Sequence, residues 1–204
     1  MKVFITGIST DVGKTIASAI VVEALKADYW KPVQAGDLEY SDSHKVEELI
    51  SNNKTKIHKN SCALNTPMSP HAAAEIDGIT IEIDKIKEPN TENHLVIEGA
   101  GGLLVPLNDS DTVFDLIKPD YKVIVVSRHY LGSINHSLLT IEKLQERNLK
   151  IGIIFSGNKY PTTESIILKK TDVTFLGRIN EEEVFDKEVV KKYALQFKSA
   201  LESL

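Results

Sequence analysis

Lys2-Val3-Phe4-Ile5-Thr6-Gly7-Ile8-Ser9-Thr10-Asp11-Val12-Gly13-Lys14-Thr15 is the stretch that decides the fold. Residues 2–6 are an apolar run of strand type, and residues 14–26 form an amphipathic stretch of helix type. Between them, Gly7 and Gly13 let the backbone turn without a Cβ clash, so successive N–H groups converge into a nest for phosphate oxygens. The N-terminus of the following helix adds its partial positive charge. Gly-Lys-Thr carries this meaning only between a strand and a helix, which is where it stands. Five residues separate Gly7 from Gly13 where the commonest spacing has four, so the loop accommodates one more. The alternative reading is a glycine-rich turn without a ligand; agreement of strand, loop and helix favours nucleotide. On that reading Lys14 meets the β- and γ-phosphates as a point charge, and the Thr15 hydroxyl is a ligand of Mg²⁺.

Outward from this loop, short Val- and Ile-rich runs alternate with longer amphipathic stretches. That pattern predicts an α/β P-loop mononucleotide-binding fold, a mostly parallel sheet with helices on both faces. Strands are expected at residues 2–6, 29–32, 95–98, 122–127, 150–155 and 174–176, and helices at 14–26, 43–51, 133–147, 162–169 and 186–201. Residues 52–93, interrupted by Pro67, Pro70, Gly78 and Pro89, have weak periodicity and read as an insertion carrying part of a site. The length of 204 residues with 42% apolar content suits one domain spanning 1–204.

A metal on the nucleotide needs carboxylates at the carboxyl ends of strands. Glu98 closes the apolar run His94-Leu95-Val96-Ile97 and precedes Gly99-Ala100-Gly101-Gly102, which puts it at the sheet edge beside closely approaching backbone. Asp42 in Tyr40-Ser41-Asp42-Ser43 reads equally as a helix cap or a metal ligand. A net charge of −5 argues against nucleic acid as partner, and the basic stretches 54–59 and 187–192 read as solvated faces. No run is apolar enough for a membrane span or a leader, so a cytoplasmic protein is expected. The single cysteine, Cys62, is expected to be an inert buried thiol.

In order and spacing, six motifs resemble those of the dethiobiotin synthetase family. They are Gly7…Gly13-Lys14-Thr15, Lys31-Pro32-Val33-Gln34-Ala35-Gly36, Ser41-Asp42, Ser69-Pro70-His71, Glu98-Gly99-Ala100-Gly101-Gly102 and Leu131-Gly132-Ser133-Ile134-Asn135-His136, spread over residues 1–157. The resemblance implies that ATP and CO₂ convert 7,8-diaminopelargonic acid to dethiobiotin through a phosphorylated carbamate. It implies Lys31, Lys14 and Thr10 as catalytic residues and Thr15, Asp42 and Glu98 as the Mg²⁺ set, which turns the open reading of Asp42 toward the metal. Nucleotide would be held by Gly7, Asp11, Val12, Gly13, Lys14, Thr15, Ile16, Asp42, Glu98, Gly99, Ala100, Gly101, Ser156, Gly157 and Asn180. Substrate would meet Thr10, Lys31, Ala35, Pro70 and, from the other subunit of a homodimer with shared sites, Gly132, Ser133 and Asn135. His71 and His136 are expected to make structural hydrogen bonds.

The chain departs from the family pattern in three places. Ala35 stands where Ser or Thr is common, Ser156-Gly157 stands where Asn is common, and Gly177-Arg178-Ile179-Asn180 lacks the usual proline. Two rival readings share the fold. A partitioning-type switch ATPase carries an early signature lysine where Ser9 stands, and an amidoligase of the cobyrinic acid synthase or CTP synthase kind carries a glutaminase domain for which no chain remains.

Overall fold

The computed structural model describes residues 1–204. In chain order the elements are β1 (Lys2–Gly7), α1 (Lys14–Leu25), β2 (Asp28–Trp30), β3 (Val33–Ala35), α2 (Asp42–Leu49), β4 (Ile57–His58), β5 (Cys62–Leu64) and α3 (Pro70–Asp77), then β6 (Leu95–Gly102), β7 (Lys122–Arg128), α4 (Ser133–Gln145), β8 (Lys150–Ser156), α5 (Pro161–Thr171), β9 (Thr174–Ile179) and α6 (Lys187–Ser203). Seven strands form one sheet in the order β4-β2-β6-β1-β7-β8-β9. Every pairing in it is parallel.

The order explains where a ligand can sit. From β1 the chain steps to one side for β2 and β4, returns to insert β6 beside β1, and then builds β7, β8 and β9 on the other side. Strand ends diverge at such a reversal and leave a crevice. The phosphate loop leaves β1 there, and Ile5 of β1 lies in register with Glu98 of β6.

Both faces of the sheet are covered, and 48 buried apolar residues form one cluster. α1 buries Ala17, Ala19, Ile20, Val21 and Val22 together, so most of its circumference faces protein, as expected of a helix packed between the sheet and α6. α6 buries only Val190, Tyr193, Ala194, Phe197 and Leu201, a stripe at helical spacing, and Asp186 caps it by accepting from the Val189 N–H at 2.9 Å. Each such large side chain stabilises the fold by about 1.5–3 kcal/mol on burial. None of the helices is long and apolar enough to cross a membrane.

The expected strands and helices are present, with shifted ends. β6 runs on through Gly102 and β9 through Ile179, each past a glycine at positive φ, Gly101 and Gly177, where the register against the neighbouring strand shifts. The strand expected at 29–32 stops at Trp30, before Pro32, which lacks a donor for the ladder. Residues 52–93 hold β4, β5 and α3; strands of two or three residues are too short to show periodicity. β3 and β5 form a separate parallel pair, with Ala35 opposite Leu64. Cys62, expected to be buried, is only partly so, since β5 is an outlying strand; its burial raises the thiol pKa.

A surface cluster ties the strand edge to the loop before β6. Glu88 pairs with Lys2 at 2.6 Å and with Lys118. Burial alone would raise the Glu88 carboxyl, but hydrogen bonds from Lys118, Lys2 and Tyr121 outweigh it and hold it at about 2. A depressed folded pKa contributes stability above the ordinary value of 4.5 that is lost as pH falls toward 2. Glu88→Gln is therefore expected to cost about 1 kcal/mol at pH 7, a figure discounted for solvent screening. In urea titrations the gap from wild type closes between pH 4.5 and 2; a gap independent of pH would contradict the assignment.

Candidate functional site

A cleft of about 920 Å³ opens at the carboxyl ends of the central strands. The phosphate loop forms its floor. Gly13 has φ 90° and starts α1, and a Cβ on Gly7 would lie 2.6 Å from Val12 Cγ2, so both glycines are dictated by geometry. Lys14 is largely buried and its Nζ donates to the Ser9 carbonyl at 3.0 Å. Burial lowers the Lys14 pKa; Glu98 opposes this and Lys31 reinforces it.

At the centre stands Glu98, 1% exposed. Its Oε1 accepts from Thr15 Oγ1 at 3.1 Å and from Lys31 Nζ at 3.1 Å, while Oε2 accepts from Tyr29 Oη at 2.9 Å. Lys31 also donates to Asp42 Oδ2, and Lys45 Nζ lies 3.5 Å from Asp42 Oδ1. Burial alone would lower the Lys31 pKa, but Glu98 and Asp42 outweigh it, so the ammonium sits above its ordinary value. Asp42 shows the converse: burial pushes its carboxyl up, and Lys31, Lys45 and Thr15 bring it below its ordinary value. The cap reading of Asp42 does not hold. Asp42 is the first residue of α2, but Ser41 is the cap, its N–H given to His44 Nδ1 at 3.0 Å, and the Asp42 carboxylate turns to Lys31.

The cleft gathers most of the residues expected there: Thr10, Asp11, Gly13, Lys14, Thr15, Ile16, Lys31, Ala35, Asp42, Pro70, Glu98, Ala100 and Gly101. Gly7, Val12 and Gly99 lie behind the lining. Ser156, Gly157 and Asn180 do not line it either. Ser156 Oγ is spent on the Val12 carbonyl at 2.7 Å, Gly157 N–H on Ile179 O at 2.8 Å, and Asn180 N–H on Tyr193 Oη at 3.1 Å. Gly132, Ser133 and Asn135, at the start of α4, are outside the chain's own cleft. His71 Nδ1 lies 3.2 Å from Ser69 Oγ, and His136 Nδ1 lies 2.8 Å from Tyr130 Oη.

Several residues in or beneath the cleft escaped sequence reasoning. Tyr29, buried beneath Glu98, has its phenol pKa raised by burial and then by that carboxylate. The available signal was its place two residues before Lys31, on the same side of the strand. Gln34, Lys45, Met68, Arg128 and Phe185 line the cleft itself. Arg128 ends β7 and pairs with Glu181 at 2.5 Å.

The wall opposite the phosphate loop depends on Gly36. It has φ 73°, and a Cβ there would sit 2.6 Å from Pro67 Cβ and 2.7 Å from Pro67 Cα. Asp77 holds the same loop by accepting from Thr66 Oγ1 at 2.7 Å. Gly36→Ala combines a left-handed backbone with contact against main chain, and is expected to cost about 2–4 kcal/mol. Thermal and urea unfolding measure it; a loss under about 1 kcal/mol would show that the wall yields.

A family profile described as an AAA domain matches residues 1–189. The chain is 65% identical over 199 residues to an ATP-dependent dethiobiotin synthetase of Christiangramia forsetii, covering 97% of this chain and 96% of that protein. It is 52% identical to the enzyme of the same name from Cytophaga hutchinsonii, with 96% of each chain covered, and 40% identical to that from Chlamydia felis, with 99% and 96% covered. Among solved structures, a putative plasmid partition protein of Borrelia burgdorferi bound to AMPPNP superposes with a TM-score of 0.61 at 17% identity, covering 100% of this chain and 98% of that one. At that identity the likeness shows the shared P-loop fold alone.

Proposed function

The chain belongs to the family of ATP-dependent dethiobiotin synthetases, and from that premise we infer that its cleft phosphorylates a carbamate of 7,8-diaminopelargonic acid and lets the ureido ring close. One substrate amine attacks CO₂, forming an N–C bond and losing a proton. A carbamate oxygen then takes the γ-phosphoryl group as the bond to ADP breaks. The second amine attacks the activated carbonyl carbon, phosphate leaves with the shared oxygen, and the amine proton departs. The ring closure is intramolecular, so no protein nucleophile is called for, and catalysis reduces to positioning and charge neutralisation. The observation that carries this reading is the convergence of Lys14, Thr15, Lys31, Asp42 and Glu98 on one cleft at the end of β1 and β6.

Lys31 stabilises charge passing between carbamate and γ-phosphate, Lys14 meets the phosphates, and Thr10 lies beside both. Two carboxylates and a hydroxyl suit Mg²⁺, which keeps several waters and takes one or two carboxylates from protein. Thr15, Asp42 and Glu98 would hold it, where it would neutralise charge on the β- and γ-phosphate oxygens. Gly7, Asp11, Val12, Gly13 and Ile16 would shape the phosphate nest, Gly99, Ala100 and Gly101 the backbone approach, and Ala35 and Pro70 the substrate wall. The test is to mix protein, MgATP, bicarbonate and the diamine; dethiobiotin by mass is expected, and ADP formed without it would overturn the reading.

Gly132, Ser133 and Asn135 fit a homodimer in which the start of α4 completes the partner's site. They lie off their own cleft, and that turn exposes Leu131 fully together with much of Tyr130 and Ile134. The whole chain acts as one ATP-binding domain in the cytoplasm, and its net charge of −5 favours neither nucleic acid nor anionic membrane as a partner.

Base selectivity is expected to be weak. Ser156 is buried against Val12, so its hydroxyl is not free to read a base edge. The exposed Asn158 and Asn180 side chains are then the polar groups left there to read a base, and a site with few such readers discriminates poorly. Turnover with GTP and CTP should fall within about tenfold of that with ATP; a strong ATP preference in the same assay would remove the idea.

A further inference from the structure

The reading of Lys31 as catalytic and the reading of Asp42 and Glu98 as metal ligands meet on the same atoms. Lys31 Nζ bonds Asp42 Oδ2 and lies 3.1 Å from Glu98 Oε1. That Oε1 is also the atom that Thr15 Oγ1 reaches at 3.1 Å. An ammonium thus stands among the three oxygens proposed for a divalent ion. We propose that Lys31 and the divalent ion are alternative occupants of one cation site, so that arrival of the metal with its nucleotide releases Lys31 toward the γ-phosphate and carbamate. The inference rests on the functional reading above and adds how the catalytic lysine is delivered.

Geometry and charge support an exchange over simultaneous occupancy. The oxygens a divalent ion would take, Asp42 Oδ2 and Glu98 Oε1, are the two that Lys31 already engages, while Lys45 pairs with the other oxygen of Asp42. Both cations on the same oxygens would place three positive charges within one contact distance, in a site where Glu98 and Lys31 are each at most 5% exposed and water screens little. Neither carboxylate is abandoned when the ammonium moves: Lys45 lies 3.5 Å from Asp42 Oδ1, and Tyr29 donates to Glu98 Oε2 at 2.9 Å. Lys31 can move because it lies beyond the end of β2, lines the cleft, and has a flexible four-carbon stem. The consequence is an order of events. Without metal–nucleotide the lysine is engaged by carboxylates, and with it the lysine faces the reacting oxygens.

The test uses Mn²⁺ as an EPR-visible divalent ion, titrated into the full-length protein with and without ADP. Lys31→Gln removes the competing charge, and Lys31→Arg keeps it. Exchange predicts that Lys31→Gln binds Mn²⁺ at least tenfold more tightly than wild type without nucleotide, whereas Lys31→Arg gains nothing. In wild type, the Lys31 ammonium resonance, assigned by its loss in Lys31→Gln, should shift when Mg²⁺ and ADP are added. Unchanged or weaker Mn²⁺ binding by folded Lys31→Gln, or an unmoved resonance at saturating Mg²⁺ and ADP, overturns the proposal. Thermal melts check folding, and if Lys31→Gln fails to fold, Lys31→Arg supplies the assignment by the same loss of the lysine resonance, and the wild-type shift decides. Dethiobiotin formation by wild type separates the levels: product with no exchange sinks this inference only, while no product sinks the functional reading beneath it.

Discussion

Lys31→Gln is expected to lower kcat by about 10²–10³-fold, the usual cost of removing one preorganised group that stabilises transferring charge. ATP should still bind within a few-fold of wild type, because Lys14 and the phosphate loop remain. The reasoning starts from burial. A lysine 5% exposed between two carboxylates is held by more than packing needs, and it lines the cleft where the γ-phosphoryl group must travel. A lysine serving structure alone would show the opposite pattern: lower stability in Lys31→Gln, with normal turnover in whatever fraction folds. Single-turnover kinetics on folded protein, with calorimetry of ATP binding, separate the two.

The second large effect belongs to Glu98. Its carboxylate accepts from Thr15, Lys31 and Tyr29 at 2.9–3.1 Å, with almost no solvent. Glu98→Gln keeps the shape but removes the charge, so Lys31 depends on Asp42 alone. Disrupting a buried ion pair of this kind costs about 3–5 kcal/mol, and urea unfolding should register most of it. Mg²⁺-dependent ATP binding should fall as well, since one of two proposed metal carboxylates is gone. Tyr29→Phe serves as the internal comparison: it deletes one hydrogen bond to the same carboxylate and should cost about 1.5–3 kcal/mol without changing the metal dependence. Equal effects of Glu98→Gln and Tyr29→Phe on metal-dependent binding would remove Glu98 from the metal set.

How far the residues themselves revealed this arrangement varies along the chain. The strand, loop and helix from Lys2 to Leu25 were legible because three independent signals coincide: an apolar run, glycines where the backbone turns tightly, and an amphipathic helix. Glu98 was legible for a similar reason, as an acid ending an apolar strand just before glycines. Lys31 was reached through its place in the family motif Lys31-Pro32-Val33-Gln34-Ala35-Gly36, whereas its burial was not legible, since a lysine after a short strand is ordinarily solvated. Its burial follows from Asp42, eleven residues on, and Glu98, on the strand inserted next to β2, a relation set by strand order rather than by local pattern. Tyr29, Arg128 and Phe185 were missed on the same ground: tertiary placement brings the first beneath Glu98 and the other two into the cleft wall. Residues 52–93 stayed unread because β4 and β5 span two and three residues and α3 spans eight, below the window in which periodicity can be seen.

The central claim is that ring closure passes through a carbamate whose own oxygen is phosphorylated. The most direct measurement is one set of turnovers started with ¹⁸O-labelled CO₂ in unlabelled water, stopped before the label exchanges, with the released phosphate and the dethiobiotin both analysed by mass. Oxygen bookkeeping predicts one ¹⁸O in each phosphate and one in the ring carbonyl. Phosphate free of label alongside labelled product would contradict the account, because the γ-phosphoryl group would then never have been joined to the carbamate.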